Sequence, residues 1–271
     1  MDILRYTFFQ NALWASLLIS IACGIVGTYI VSRRIVFISG GITHATFGGL
    51  GIGFYLGINP LLSALLFALL SAFGVEYLSH SGSYQRIRED SVIAAVWSFG
   101  MAIGVIFIFL TPGYAPNLSA FLFGNILTIP INDLFWMAML SISLVLMYVM
   151  GKKAIVYTAF DRDFAFTQRL PVRLIEYMMM FFIATTIVLS IRLVGIMLLM
   201  SMLTIPQMTV NLFTANYHKI TVISCIVGLF GCISGLFLSY FINIPSGAFI
   251  ILILILLFVI AKIIRPLFFL H

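Results

Sequence analysis

The residue best suited to chemistry inside an apolar stretch is His44, in the run SGGITHATFGGLGIG. On a helix, Gly40 and Gly48 flank it four residues away on either side, so the imidazole would project beside a backbone free of bulky neighbours. Thr43 precedes it. Neutral imidazole is a common ligand for manganese, iron and zinc, and an ionisable group at membrane depth usually faces protein or water. The residues leave two readings open: a ligand lining a narrow polar ion path, and a group that hydrogen-bonds a neighbouring helix. Glu76 also carries two readings, a path residue or the partner of a nearby base, and the second is the commoner structural role.

Other chemistry is poorly supplied. Met197, Met200 and Met208, with Cys225 and Cys232, include soft ligands of the kind a copper-like ion takes, but Met and Cys are also ordinary fillers of apolar helices. Cys23, Cys225 and Cys232 lie in apolar runs without a CxxC spacing, so no disulfide is expected. His44, His80, His218 and His271 form no HExxH or comparable constellation, and no intramembrane enzyme is expected. Gly151, Lys152 and Lys153 lack the upstream glycine and the hydroxyl of a GxxxxGK[ST] loop. If ATP drives this chain, another subunit must bind it.

The elements that would position these residues follow from composition. The chain has 271 residues, 63% hydrophobic and 8% charged, a balance that a soluble core of this size cannot hide. Its apolar runs are continuous rather than alternating, which selects helices over a membrane barrel. About nine runs reach spanning length, eight being possible: 7–31, 36–57, 60–79, 92–111, 133–150, 174–191, 193–212, 220–241 and 248–264. The fold expected is an all-α integral membrane protein, a polytopic bundle treated as one domain over 1–271. The net charge of +6 sits between spans rather than on a soluble face with stacking aromatics, so no nucleic-acid partner is expected; the solvent is membrane lipid. The start has Asp2 and no convincing cleavage site, so the first run is expected to stay as a helix.

In the second run Gly41, Ala45, Gly49, Gly53 and Gly57 recur every fourth residue, a small-residue stripe for close helix packing. With the N-terminus outside, 12 basic residues fall on the cytoplasmic side and only Arg5 and Arg192 outside, which also places the C-terminus inside. Residues 118–128 are too short to span and too apolar for an ordinary loop, which suggests a re-entrant or interfacial segment on the outer side. Residues 151–173 form the longest polar cytoplasmic stretch. There Asp161 is placed to cap a short helix reaching Leu170 before Pro171, with Phe160 and Phe164 on one face.

Taken in order from about Ser32 to Ala248, these segments resemble the ABC permease family for zinc, manganese and iron. The resemblance is carried by SRRIVFISGGITHATFGGLGIGFYLGINP, EDSVIAAVWSFGMAIG, LFGNIL, FDRDFAF, VGIMLLMSMLTIP and GLFLSYFINIPSGA. It implies a multi-pass subunit of a bacterial plasma (inner) membrane, in a permease homodimer with cytoplasmic ABC ATPase subunits and an extracytoplasmic metal-binding protein. It implies a transported divalent metal ion, with no tightly bound cofactor, and a metal path at His44 with Thr43 and Glu76. Phe160, Asp161, Asp163, Phe164 and Ala165 would then couple to the ATPase. The family usually has Asp four residues before the histidine, where this chain has Gly40, and a glycine where it has Arg169. A siderophore or cobalamin ABC permease and an ion-coupled secondary transporter are the alternatives.

Overall fold

The computed structural model describes residues 5–80, 88–112, 129–242 and 245–268. Every regular element among them is helical: α1 Thr7–Ser32, α2 Phe37–Leu56, α3 Pro60–His80, α4 Glu89–Leu110, α5 Ile131–Phe160, α6 Arg162–Thr167, α7 Val172–Met202, α8 Ile205–Asn211, α9 Tyr217–Ile242 and α10 Ser246–Phe268. The proposed re-entrant segment, 118–128, lies outside the described residues.

Seven helical stretches are long and apolar enough to cross a membrane, against the nine expected. Two causes account for the difference. Glycine, threonine and histidine dilute the apolar character of α2, which nevertheless has 20 residues and buries most of them. The runs 174–191 and 193–212 belong to one continuous stretch, Val172–Asn211. The break expected near Arg192 falls instead at Gly195, whose φ of 78° and ψ of 169° interrupt α7. A residue with Cβ adopts that conformation only at a cost, and Leu193, Val194, Ile196 and Leu198 bury the break. A further difference is that α5 runs on past the expected end at 150, through Lys152 and Lys153 to Phe160.

The chain divides into two compact units, the first of residues 1–32, 119–152 and 189–271, the second of 33–118 and 153–188. In the first, α1 packs on α9, and α9 on α10 and α8. Gly231 and Gly235 of α9 abut Leu254 and Ile250 of α10, and Gly24 of α1 abuts Cys225. The Gln207 amide, fully buried, donates to the Cys23 carbonyl at 2.8 Å and the Met202 carbonyl at 3.4 Å.

In the second unit α2 lies between α3 and α4. The approach is close enough that a methyl group at Gly104 would come within 2.6 Å of the Phe47 carbonyl oxygen. One at Gly100 would stand 2.5 Å from Ala45 Cα, and one at Gly53 2.8 Å from Pro60 Cα. Gly41 faces Ile93, and Gly49 faces Ser63 and Ala64. The Ser63 hydroxyl donates to the Gly49 carbonyl at 2.5 Å, closing the α2–α3 seam. Gly57 is the exception in the stripe: a Cβ there would meet nothing within 4 Å. Its φ of 66° ends α2 in a left-handed cap, with Ile58 N–H donating to the Gly53 carbonyl, so its glycine serves the turn rather than the packing.

Candidate functional site

His44 lies in the first half of α2, and its glycine-lined surroundings bring α4 against it. The Trp97 indole stacks on the imidazole with centroids 4.4 Å apart and planes 6° from parallel, while Phe47 lies at 6.3 Å. Ring geometry of this kind fixes the imidazole plane and shields one face from water. Its Nδ1 is buried without a hydrogen-bond partner, and so is the Thr43 hydroxyl oxygen. The Thr46 hydroxyl donates to the Thr43 carbonyl at 2.5 Å, so it is already engaged. What the site offers an ion is an imidazole nitrogen and a hydroxyl, with Gly40 bringing no carboxylate. No group of three or more His, Cys, Asp and Glu residues able to hold a metal occurs among the described residues. Such a donor set suits a passing contact better than a resting site, since a path must release its ion as readily as it admits it.

Glu76 lies on α3. It is buried and pairs with Arg33, Oε2 lying 3.2 Å from Nη1 and Oε1 accepting from Nη2 at 3.3 Å. Around the same guanidinium stand Glu89 Oε1 at 3.3 Å and Glu176 Oε1 at 3.7 Å. Arg162 of α6 in turn donates to Glu176 Oε2 at 2.9 Å. Sequence reasoning weighed Glu76 but overlooked Glu176, a carboxylate within the apolar run of α7 that was itself the signal. Trp97 was also missed, because only the register between α2 and α4 makes it a neighbour of His44.

The segment after α5 folds as a capped single turn and a half. Asp161 is the N-cap of α6, its side chain accepting from Phe164 N–H at 2.9 Å. The helix ends at Thr167, three residues short of Leu170. Arg169 takes φ 57°, with Arg169 N–H donating to the Phe166 carbonyl and Leu170 N–H to the Ala165 carbonyl. That is a Schellman end, in which glycine is the usual residue. Phe160 and Phe164 do not share one helical face: Phe160 closes α5, whereas Phe164 belongs to α6 and meets Tyr157 edge-on at 5.3 Å. The extended Asp161 cap breaks the helix between them. Both rings are exposed, as are Asp163 and Phe166, while Ala165 is buried and seats the turn.

The soft-ligand residues are dispersed. Met197 and Met208 are exposed, Cys23, Cys225 and Cys232 are free, and Cys232 Sγ lies 3.7 Å from Met202 Sδ in buried packing.

An all-helical chain with seven membrane-length stretches, an imidazole on a glycine-packed helix and a short capped helix bearing exposed aromatics defines a polytopic membrane protein of transporter type. Residues 5–265 match the ABC 3 transport family, and the chain belongs to it. It is 39% identical over 250 residues to the membrane protein slr2045 of Synechocystis sp., covering 92% of this chain and 88% of that one. The manganese transport system membrane protein MntC of Halalkalibacterium halodurans is 29% identical over 268 residues, 98% of this chain and 90% of the relative. The solved structure of PsaBC from Streptococcus pneumoniae in complex with Fab matches with a TM-score of 0.82 at 28% identity, over 96% of this chain and 92% of that chain.

Proposed function

We propose that this chain is the permease subunit of an ABC importer for a divalent transition-metal ion, with manganese the first candidate and zinc and iron the others. Manganese leads because MntC relatives carry that ion in their names and match nearly the whole chain. The observation that carries the path assignment is the His44 Nδ1, buried and without a hydrogen-bond partner on a helix of small residues. A histidine kept only for helix association would be expected to use both ring nitrogens on protein groups. Thr43 adds a second unpartnered oxygen beside it.

In this reading the whole chain acts as one permease domain, pairs with a second copy, and receives its ion from an extracytoplasmic binding protein. ATP hydrolysis belongs to a cytoplasmic partner, and the exposed aromatics around α6, Phe160 and Phe164, with Asp163, meet it. The basic residues near Lys152 and Arg169 favour a cytoplasmic position for that segment, with the N-terminus outside. Modification of a cysteine placed at residue 153 by an impermeant reagent added to intact cells would refute the orientation.

The path is tested by uptake into proteoliposomes holding the permease, its ATPase and its binding protein, with manganese, zinc and iron offered separately. His44→Ala should lower uptake by roughly tenfold or more while membrane yield and ATPase co-purification hold. Gly40→Asp should tighten the contact with the ion and alter the ranking of the three. Parental uptake and ranking in both variants would remove His44 from the path.

A further inference from the structure

The charged residues of the second unit suggest a role beyond ion passage itself. Arg33, directly after α1, gathers three carboxylates: Glu76 of α3, Glu89 at the first position of α4 and Glu176 of α7, at 3.2, 3.3 and 3.7 Å. Glu176 is shared, since its other oxygen takes Arg162 of α6 at 2.9 Å. Burying such groups is tolerable only when each charge keeps a close opposite charge, so the positions of the five residues are mutually determined. Glu76 and Glu176 are 3% and 1% exposed, which removes water as a substitute partner for either.

We propose that Arg162 and Glu176 are positioning residues that hold α6 to the helices around His44, so that a push on α6 moves α2, α3 and α4 with it. The proposal rests on the reading of α6 as the ATPase contact and adds how displacement leaves it. The route is short. The Asp161 cap and the buried Ala165 make α6 a rigid turn. Arg162, its first residue, grips Glu176; Glu176 faces Arg33; and Arg33 stands four residues before α2 while pairing with α3 and α4.

Arg162 is also the link most easily undone. Its side chain is 29% exposed, and its Nε is buried without a hydrogen-bond partner. It therefore holds Glu176 by a single-nitrogen contact rather than by the paired geometry that fixes an Arg–carboxylate fork. If α6 withdrew, the buried Glu176 would lose its 2.9 Å contact with Arg162 and place more of its charge on Arg33. Motion of α6 is thus opposed by an electrostatic cost borne at Arg33, where the ends of three helices meet.

Two measurements on the full chain test this. Hydrogen exchange of the permease in lipid nanodiscs reads the tether without any ATPase: in Arg162→Gln, amides of 162–167 should exchange about tenfold faster, while those of α2 keep the parental rate. In proteoliposomes with the ATPase and binding protein, manganese ions transported per ATP hydrolysed should fall about fivefold in Arg162→Gln. Arg162→Lys, which keeps the charge, should recover most of that ratio. Arg162 is the partly exposed member, so its variants are judged even if Glu176→Gln lowers membrane yield. Unchanged exchange in Arg162→Gln overturns the tether, and an unchanged ion-to-ATP ratio with the complex assembled overturns its part in coupling. Absence of ATP-driven uptake in the parent protein would overturn the importer reading, and with it the coupling role, whatever the exchange result.

Discussion

Both units pack helices through glycine, but the atoms those glycines meet differ. In the second unit the neighbours of Gly49, Gly51, Gly53, Gly100 and Gly104 are mostly backbone atoms of Ser63, Ala64, Gly104, Pro60, Ala45 and Phe47. In the first unit Gly24, Gly231 and Gly235 first meet side-chain atoms of Cys225, Leu254 and Ile250, although Gly27 also meets the Leu203 carbonyl oxygen at 2.5 Å and Gly235 the Ile250 Cα at 2.8 Å. Backbone against backbone leaves no rotamer to adjust, whereas a leucine methyl can turn aside. The second unit holds its helices at fixed spacing, and that is where His44, Trp97 and the buried ion pairs lie. The helices around His44 therefore cannot relax by turning a side chain, whereas the Gly231 seam of the first unit can.

The largest predicted effect tests that contrast. Gly104→Ala would set a methyl 2.6 Å from the Phe47 carbonyl oxygen and 2.7 Å from its carbon, so α2 and α4 must part. The expected cost is about 3 kcal/mol, read as a loss of folded protein in membranes and a lower thermal midpoint. Gly231→Ala meets only the movable end of Leu254, and the gain in helix propensity, about 1 kcal/mol, offsets part of the crowding. Equal destabilisation by the two substitutions would end the distinction between the units. Gly74→Ala supplies the baseline, because a Cβ there meets nothing within 4 Å.

Much of the second unit was legible in the sequence because its signals are local. The four-residue stripe of Gly41, Ala45, Gly49 and Gly53 announced a packed helix, and Asp161 announced the start of a short one. Less legible were features that depend on partners distant in sequence. Arg33 to Glu176 spans 143 positions, and the stack of Trp97 on His44 depends on the registry of two helices. The helix count failed for a physical reason too: hydropathy does not distinguish two spans from one stretch broken at a buried glycine, and Gly195 stood three residues beyond the expected break. Phe160 and Phe164 were misassigned to one face because four-residue spacing means proximity only within an unbroken helix.

A smaller effect concerns α6. Arg169 occupies the left-handed position that closes this helix, φ 57°, where a residue with Cβ is disfavoured by about 1 kcal/mol or somewhat more. Arg169→Gly should therefore stabilise the local turn by about 1 kcal/mol, partly offset by the greater freedom glycine has when the segment is unfolded. Slower proteolysis or amide exchange across 162–170, by about threefold, is the expected reading. Faster exchange would mean that the arginine side chain contributes more to this turn than its backbone costs.

The smallest effect separates the two units most sharply by function. Each holds a polar side chain in a helix packed against small residues, the half-buried His44 in one and the buried Gln207 in the other. Gln207 spends its amide donors on the Cys23 and Met202 carbonyls, which joins α8 to α1, and its Oε1 is buried without a hydrogen-bond partner. Gln207→Leu keeps the side chain's size, loses two donor contacts and also removes the unsatisfied oxygen. Contacts of this kind between membrane helices contribute about 0.6 kcal/mol on average, and deleting the stranded oxygen offsets part of the loss. Membrane yield and thermal midpoint should consequently stay close to the parent's, and manganese uptake should be unchanged. Under the proposed path, His44→Leu should do the reverse, leaving stability near the parent's and lowering uptake by roughly tenfold or more. If Gln207→Leu lost transport while His44→Leu kept it, the unpartnered Oε1 of the first unit would become the better candidate for the ion path.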